Sequence, residues 1–178
     1  LKVNSFRKNL LEFFKFKQKK SILENVIKLS HIYKRKNINS IIFLNYATEL
    51  NDFLFWCQQL IAESLGKNGK GKLPIISSAP RDHHSLMQLY LDGPKDKLFY
   101  ILSSNSNKKM KINSNIFGKN FNYAENKDLS KVKEAQKNAL IQVLKNKNIP
   151  HCEFVINKKD EATLGELFTY FILETVLV

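Results

Sequence analysis

Short apolar runs that alternate with helical segments constrain the fold of this chain more than any other feature of its sequence. Each run is nearly continuous in apolar residues, which is typical of a strand buried on both faces of a parallel sheet. The runs occupy residues 40–46, 73–78, 97–103 and 152–156. Helical segments are predicted over residues 21–33, 50–65, 83–91 and 129–146, and from residue 163 onward. The alternation predicts an α/β fold, a three-layer sandwich with a parallel sheet of about four to five strands flanked by helices.

Local signals predict where several of these elements begin and end. Ser21 and Glu24 have the spacing of a capping box, in which each side chain binds a free backbone N–H, and they predict a helix start at Ser21. Gly66 predicts a left-handed stop after the second helix. Residues 105–126 are rich in Asn, Lys and Ser, and this composition predicts a long surface excursion.

The predicted sheet also indicates where function should reside. In parallel α/β sheets, ligands bind beyond the carboxyl ends of the strands. The loops that follow Tyr46, Ser78 and Ser103 are therefore the predicted functional loops. We interpret residues 21–178 as one domain and residues 1–20 as a leading helical segment.

The formal net charge of +13 is compatible with a nucleic-acid-binding protein, but the type of basic residue argues against one. Arginine, which base readout and phosphate clamping favour, occurs only at Arg7, Arg35 and Arg81. The aromatic platform of a single-strand binder is also missing. We therefore predict no nucleic-acid partner and a solvated basic surface that attracts anionic substrates.

Cysteine content and hydropathy indicate the compartment. Cys57 and Cys152 lie in apolar contexts without a partner at metal-ligand spacing, which predicts two small buried hydrophobic side chains in a reduced, cytoplasmic protein. The longest apolar run, residues 167–178, is interrupted by Glu174 and is shorter than the ~20 residues of a membrane helix. No membrane segment is predicted.

Residues 66–72 match the GxxxxGK body of a phosphate-binding P-loop, but their context argues against a nucleotide site. The next residue is Leu73, where a P-loop needs Ser or Thr to bind magnesium. The segment also joins a helix to a strand, whereas a P-loop joins a strand to the helix whose N-terminus binds the phosphate.

Trp56, Gln59 and Glu63 share one face of the second predicted helix, because residues three or four apart on a helix are neighbours. Most polar helix faces are simply solvated. A tryptophan is unusual on a fully exposed face, and it indicates a half-buried wall beside a cleft, where burial can raise the pKa of a glutamate and let it act as a base. Residue spacing alone leaves both interpretations open.

A second cluster of ionisable residues follows the strand that ends near Ser78. It consists of Arg81, Asp82, His83 and His84. Adjacent histidines at a helix start point in different directions, so we expect no metal site from this pair. One histidine at the carboxyl end of a parallel strand is well placed for catalysis, but a capping or surface histidine fits these residues equally well.

Two longer runs give the chain a family resemblance. Residues 56–74 (WCQQLIAESLGKNGKGKLP) and 82–97 (DHHSLMQLYLDGPKDK) resemble the second sugar-isomerase (SIS) domain of bacterial phosphoglucose isomerases, the glucose-6-phosphate isomerase family. In that family a QxxxESxGK helix, a strand, a histidine-containing turn and a QLxxDGPxDK-like segment follow in the same order. The likeness is strongest over residues 50–96, and it implies a SIS-like, flavodoxin-like fold.

The resemblance implies an aldose–ketose isomerase that interconverts glucose 6-phosphate and fructose 6-phosphate without a metal or another cofactor. Glu63 matches the base that moves a proton between C2 and C1 through a cis-enediol, and Gln59 matches a glutamine that contacts the substrate. His84 matches the histidine that helps to open the sugar ring, usually in the site of the neighbouring subunit of a homodimer. His83 stands where the family commonly has glutamine, and we assign it no role.

The family also has parts that do not occur in this sequence. Its Ser/Thr-rich phosphate loop and glycine-flanked arginine precede the matching region, and a glutamine-to-lysine motif follows it. We therefore expect the chain to be the C-terminal SIS domain of a longer enzyme, without the N-terminal SIS domain and the final segment, and to be nearly inactive alone. The alternative is a non-catalytic SIS domain that binds a sugar phosphate.

Overall fold

A four-stranded parallel sheet forms the centre of the structure, a computed structural model. It describes residues 7–8, 11, 19–35, 37–105, 111–113 and 119–178. The strands are β1 (Ser40–Asn45), β2 (Leu73–Ser78), β3 (Lys97–Ser104) and β4 (His151–Ile156). Their order is β2-β1-β3-β4, and all neighbouring strands are parallel. The sheet confirms the predicted fold class.

Helices cover both faces of this sheet. They are α1 (Lys19–Arg35), α2 (Asn51–Leu65), α3 (Arg81–Ser85), α4 (Met87–Asp92), α5 (Leu129–Asn146) and α6 (Glu161–Leu177). Apolar side chains of α1, α2 and α6 form one core against the sheet, and those of α4 and α5 form the other. The result is a three-layer sandwich.

Alternate residues of the central strands supply the two cores. In β1, Ile41 and Phe43 pack on the side of α2 and α6, whereas Ile42 and Leu44 pack on the side of α5. All four side chains are fully buried. Because both faces are covered, apolar residues are favoured at every position of the strand, which explains the nearly continuous apolar runs in the sequence.

One carboxyl group is buried within the first of these cores. Glu174 of α6 accepts a hydrogen bond from Tyr100 Oη at 2.6 Å. Burial raises the pKa of Glu174, although the hydroxyl groups of Tyr100 and Tyr170 act in the opposite direction. In the sequence this residue is visible only as an interruption of an apolar run.

The predicted element boundaries agree with the structure to within two residues, but some details were wrong. Ser21 does not start α1, because Lys19 and Lys20 are already helical. The predicted boundary after residue 20 therefore lies inside a helix, and residues 1–6, 9–10 and 12–18 of the leading segment lie outside the described residues. The single helix predicted over residues 83–91 is divided into α3 and α4 at Leu86.

The predicted left-handed stop at Gly66 was also wrong. Gly66 has φ −79° and ψ 62°, and its N–H donates to the carbonyl oxygen of Ala62 at 3.0 Å. A Cβ at this position would lie 2.4 Å from that same oxygen, so the close approach requires glycine. Positive φ values come later in this loop, at Asn68, Gly69 and Gly71.

The loop from Gly66 to Lys72 connects α2 to β2 at the amino end of the sheet. Lys72, the lysine of the P-loop-like motif, donates a hydrogen bond to the carbonyl oxygen of Ile38. This geometry agrees with the prediction that the motif is not a nucleotide site, because no helix begins where its glycines lie.

The predicted surface excursion over residues 105–126 has local structure where it is described. Lys111 forms an isolated antiparallel bridge with Asp128, and residues Lys119–Ala124 form a 3₁₀ helix. Residues 106–110 and 114–118 of this prediction lie outside the described residues.

Both cysteines are free thiols, and the prediction that both are buried is correct only for Cys57. Cys57 is buried in the core, whereas Cys152 on the edge strand β4 is half-buried. Burial raises the pKa of the Cys152 thiol to about 11.

Candidate active site

The outer face of α2 carries Gln59 and Glu63, two of the predicted site residues. Gln59 Nε2 donates a hydrogen bond to Glu63 Oε1 at 3.0 Å, and both side chains are exposed. The opposite face of the helix is buried, with Leu54, Cys57 and Ile61 in the core. The Glu63 carboxylate is therefore oriented by the neutral amide of Gln59 and remains accessible from outside this chain.

Trp56 lies on the neighbouring turn and is half-buried, as predicted. Its ring stacks on Phe53 at a centroid distance of 5.8 Å and meets Phe168 of α6 edge-on at 4.4 Å. Glu63 itself is exposed. Trp56 packs towards α6, and the end of α2 that bears Glu63 extends past this contact, so this chain alone does not bury the carboxylate.

Glu63 lies beside the amino end of β2. Gln58 Nε2 donates a hydrogen bond at 2.8 Å to the carbonyl oxygen of Pro74, the second residue of that strand. Glu63 is five residues further along α2, or about 7.5 Å at the rise of an α-helix. Because α2 runs towards the start of β2, the carboxylate lies at the amino end of the sheet rather than at the carboxyl end.

His84 lies at the other end of the same strand. It belongs to α3, which begins just after the carboxyl end of β2, and its side chain is exposed. A strand of six residues is about 20 Å long. The fold therefore brings Gln59 and Glu63 together and leaves His84 far from both within one chain.

Asp82 anchors α3 to the end of β2. Its buried carboxylate accepts hydrogen bonds from Ser77 Oγ at 3.0 Å, from the backbone N–H of Ser78 at 2.7 Å and from Arg81 Nε at 3.0 Å. Burial alone would raise the pKa of Asp82, but these bonds outweigh it and lower the pKa below its usual value. The orientation of α3 follows from this anchor.

The two histidines of α3 point in different directions, as the sequence predicts. His83 is half-buried, and its Nε2 lies 2.6 Å from the hydroxyl of Tyr46 at the end of β1. Burial lowers the pKa of His83, and the nearby charge of Asp82 acts in the opposite direction. His83 is thus held within this chain, whereas His84 is presented outwards.

Curated proteins of one kind match almost the whole chain. It is 32% identical to a probable glucose-6-phosphate isomerase of Methanococcus maripaludis over 159 residues, or 89% of this chain. It is 34% identical over 169 residues to the glucose-6-phosphate isomerase of Campylobacter jejuni, which covers 92% of this chain. The chain belongs to the glucose-6-phosphate isomerase family. The resemblance stated from its motifs is confirmed.

The match to the glucose-6-phosphate isomerase family covers only part of those proteins. The chain spans 35% of the length of the Methanococcus protein and 41% of that of the Campylobacter protein. No protein-family model matches the chain.

A solved structure supports the fold of this family member. A hypothetical protein from Thermus thermophilus superposes with a TM-score of 0.73 at 20% identity, over 88% of this chain and 38% of that one. This likeness supports the α/β sandwich fold.

The sequence of this isomerase-family chain does not predict the contact between Tyr46 and His83. Tyr46 was predicted only as the end of a strand, and His83 received no role. Sequence spacing indicates that adjacent histidines diverge, but it does not indicate which of them faces the sheet. That choice depends on how Asp82 fixes α3, through contacts with Ser77 and Ser78 that have no sequence signature of their own.

Two further properties concern only the described part of this family member. Within it, no three His, Cys, Asp or Glu side chains are grouped so that they could hold a metal ion. None of its described helices has both the length and the apolar character needed to cross a bilayer.

Proposed function

We propose that this chain supplies the proton-transferring carboxylate of an aldose–ketose isomerase that interconverts glucose 6-phosphate and fructose 6-phosphate. Glu63 removes a proton from the carbon beside the carbonyl group and returns it to the neighbouring carbon through a cis-enediol. Gln59 contacts the substrate. The proposal depends chiefly on one observation, the identity of 30–34% to curated glucose-6-phosphate isomerases over 88–92% of the chain.

The geometry of α2 supports this role for Glu63. One carboxylate can act on two adjacent carbons only if it is accessible and remains within hydrogen-bond reach of both. Glu63 is exposed, and the hydrogen bond from Gln59 to Oε1 restrains its orientation. Because Gln59 is neutral, it orients the carboxylate without neutralising its charge.

The positions of Glu63 and His84 support a homodimer as the catalytic unit. The two residues lie at opposite ends of β2, and that strand is about 20 Å long. A site that uses both side chains therefore needs Glu63 from one chain and His84 from another. A two-fold symmetric dimer produces two such sites.

The rest of the enzyme supplies the remaining parts of the site. The chain spans 35–41% of three curated relatives, and phosphate anchoring provides much of the binding energy that positions a small sugar. We therefore place the phosphate-binding groups of the catalytic site in the part of the enzyme that this chain does not cover.

Glu63→Gln in the complete enzyme tests the proposal, because glutamine keeps the shape of the side chain and removes its basicity. Turnover should fall by at least the ~10²–10⁴-fold typical of losing a general base. Glu166→Gln is the matched control, since Glu166 is an exposed glutamate on α6 and should leave turnover unchanged. A coupled assay gives kcat and KM, and circular dichroism checks the fold.

The results also separate the enzyme from the alternative, a non-catalytic domain that binds a sugar phosphate. That alternative predicts that the complete protein has no isomerase activity at any substrate concentration. Turnover of Glu63→Gln within a few-fold of the parent would refute the catalytic role of this residue.

A further inference from the structure

A cavity of about 230 Å³ lies beyond the carboxyl ends of β1 and β3. β2 and β3 lie on opposite sides of β1, so the chain reverses its direction across the sheet at this point. Crevices at such reversals are the usual ligand positions of open α/β sheets. Three parts of the chain line the cavity, with residues Tyr46, Ser104, Asn105, Ser130, Lys133 and Lys137.

Lys137 is the unusual residue in this lining. Only 8% of its surface is exposed, and lysine is almost never buried to that extent without a partner. Its Nζ donates to Ser103 Oγ at 3.2 Å and to Glu153 Oε1 at 3.0 Å. An ammonium group has three N–H donors, so these bonds leave one for a group in the cavity.

Lys133 lies one turn earlier on the same face of α5 and lines the same cavity. Its Nζ donates to the carbonyl oxygen of Tyr46 at 2.7 Å. This bond fixes the ammonium group at the end of β1, leaves two of its donors and does not neutralise its charge. The cavity thus has two positioned ammonium groups with three donors between them.

Glu153 pairs with the charge of Lys137 at 3.0 Å, so the positive charge of this cavity comes mainly from Lys133. Glu134 is the one acidic residue among its described lining residues, and it is exposed. The first turn of α5 is already capped, since Asp128 accepts hydrogen bonds from the N–H of Ser130 at 3.0 Å and from its hydroxyl at 2.7 Å. An anion here is therefore held by the two lysines rather than by the end of the helix.

We propose that this cavity binds the phosphate group of a small phosphomonoester. A phosphate group can accept hydrogen bonds from both ammonium groups, and charge-assisted hydrogen bonds are roughly twice as strong as neutral ones. The volume is below the ~300–1,000 Å³ of typical ligand pockets, which favours a small ligand over a nucleotide. Neither Glu63 nor Gln59 takes part, so the inference does not depend on the proposed isomerase mechanism.

Direct titration of the 178-residue chain tests this site. Inorganic phosphate and glucose 6-phosphate are added at constant ionic strength, with potassium chloride as the blank, and binding is followed by calorimetry and by amide chemical shifts. Lys133→Met and Lys137→Met should each weaken binding by about tenfold or more. Glu134→Gln should tighten it. Lys145→Met removes the same charge at the far, exposed end of α5 and should have little effect.

Each outcome of the titration is informative. Saturable binding of both ligands that is lost in Lys133→Met supports a phosphate site, and tighter binding of glucose 6-phosphate identifies a contribution from the sugar. Absence of saturable binding, or equal weakening in Lys133→Met and Lys145→Met, overturns the proposal. If Lys137→Met does not fold, phosphate binding by Lys133→Met and Glu134→Gln still tests the proposal, because Lys133 is half-buried and Glu134 is exposed.

Discussion

Glu63 and Asp82 are carboxylates near opposite ends of strand β2, and their surroundings differ in almost every respect. Glu63 is exposed, and its hydrogen bond comes from one neutral amide. Asp82 is buried and accepts three hydrogen bonds, one of them from an arginine. The carboxylate of Asp82, at the carboxyl end of the strand, receives its hydrogen bonds from this chain. The carboxylate of Glu63, at the amino end, remains accessible to another molecule.

This difference separates a structural carboxylate from a catalytic candidate. A buried carboxylate that accepts three hydrogen bonds from its own chain orients local structure, as Asp82 orients α3. A proton-transferring carboxylate needs free access to its substrate, and the exposed Glu63 has it. The lowered pKa of Asp82 thus accompanies a structural role and does not mark a catalytic group.

The largest effect on turnover is expected when a Glu63 variant and a His84 variant are combined in one dimer. The complete enzyme is prepared as a heterodimer in which one subunit carries Glu63→Gln and the other carries His84→Ala. If each site takes Glu63 from one subunit and His84 from its partner, one of the two sites is intact. The heterodimer should then recover about half of the parent turnover on the cyclic sugar phosphate.

The two parental homodimers are the controls for this experiment, and both should be strongly impaired. A heterodimer as inactive as its parents would show that Glu63 and His84 do not share a site across subunits. An almost fully active His84→Ala homodimer would remove His84 from the mechanism. Assays with an open-chain analogue should reduce the His84→Ala defect, because the ring-opening step is bypassed.

Asp82→Ala should produce the largest change in stability. Alanine removes three hydrogen bonds to a buried charge and leaves the N–H of Ser78 without this partner. We expect a loss of about 2–4 kcal/mol in the free energy of unfolding, measured by urea denaturation of the 178-residue chain. Glu63→Gln is the contrast and should change stability by less than about 0.5 kcal/mol.

The pH dependence of the Asp82 effect has a definite sign. The pKa of Asp82 is lowered in the folded state, so its contribution is present above the unfolded-state value of about 3.9 and is lost as pH falls through the folded-state pKa. The difference between parent and Asp82→Ala should therefore shrink on acidification. A difference that stays constant down to pH 2 would show that the charge of Asp82 does not contribute.

The sequence predicts much of the fold, because helical and strand periodicities are independent of tertiary detail. α5 was predicted at its observed bounds, Leu129–Asn146, since its apolar residues recur at helical spacing. Glu63, Gln59 and His84 were identified through motifs, and their exposure could not be read from spacing. Burial of Lys137 was missed because a lysine in a lysine-rich helix has the pattern of a solvated face. Only the packing of α5 against β3 and β4 reveals it.

The smallest effect on stability is expected from Glu174, a third carboxyl group that can be compared with Glu63 and Asp82. It is buried like Asp82, but its partners are tyrosine hydroxyls rather than an arginine, and its pKa is raised instead of lowered. Stability from its protonated form is complete below the unfolded-state value of about 4.3 and is lost as pH rises through the folded-state pKa. Burial alone therefore does not determine how a carboxyl group responds to pH.

Glu174→Gln tests this sign, because glutamine remains neutral and keeps an acceptor for Tyr100. The variant should match the parent near pH 4 and become more stable than the parent, by about 1 kcal/mol, as the pH approaches 8. Glu166→Gln, an exposed change on the same helix, should show no such trend. Urea denaturation at several pH values measures both. If the advantage of Glu174→Gln were greatest at low pH, the buried carboxyl would be ionised in the native state, and the hydroxyls of Tyr100 and Tyr170 would outweigh its burial.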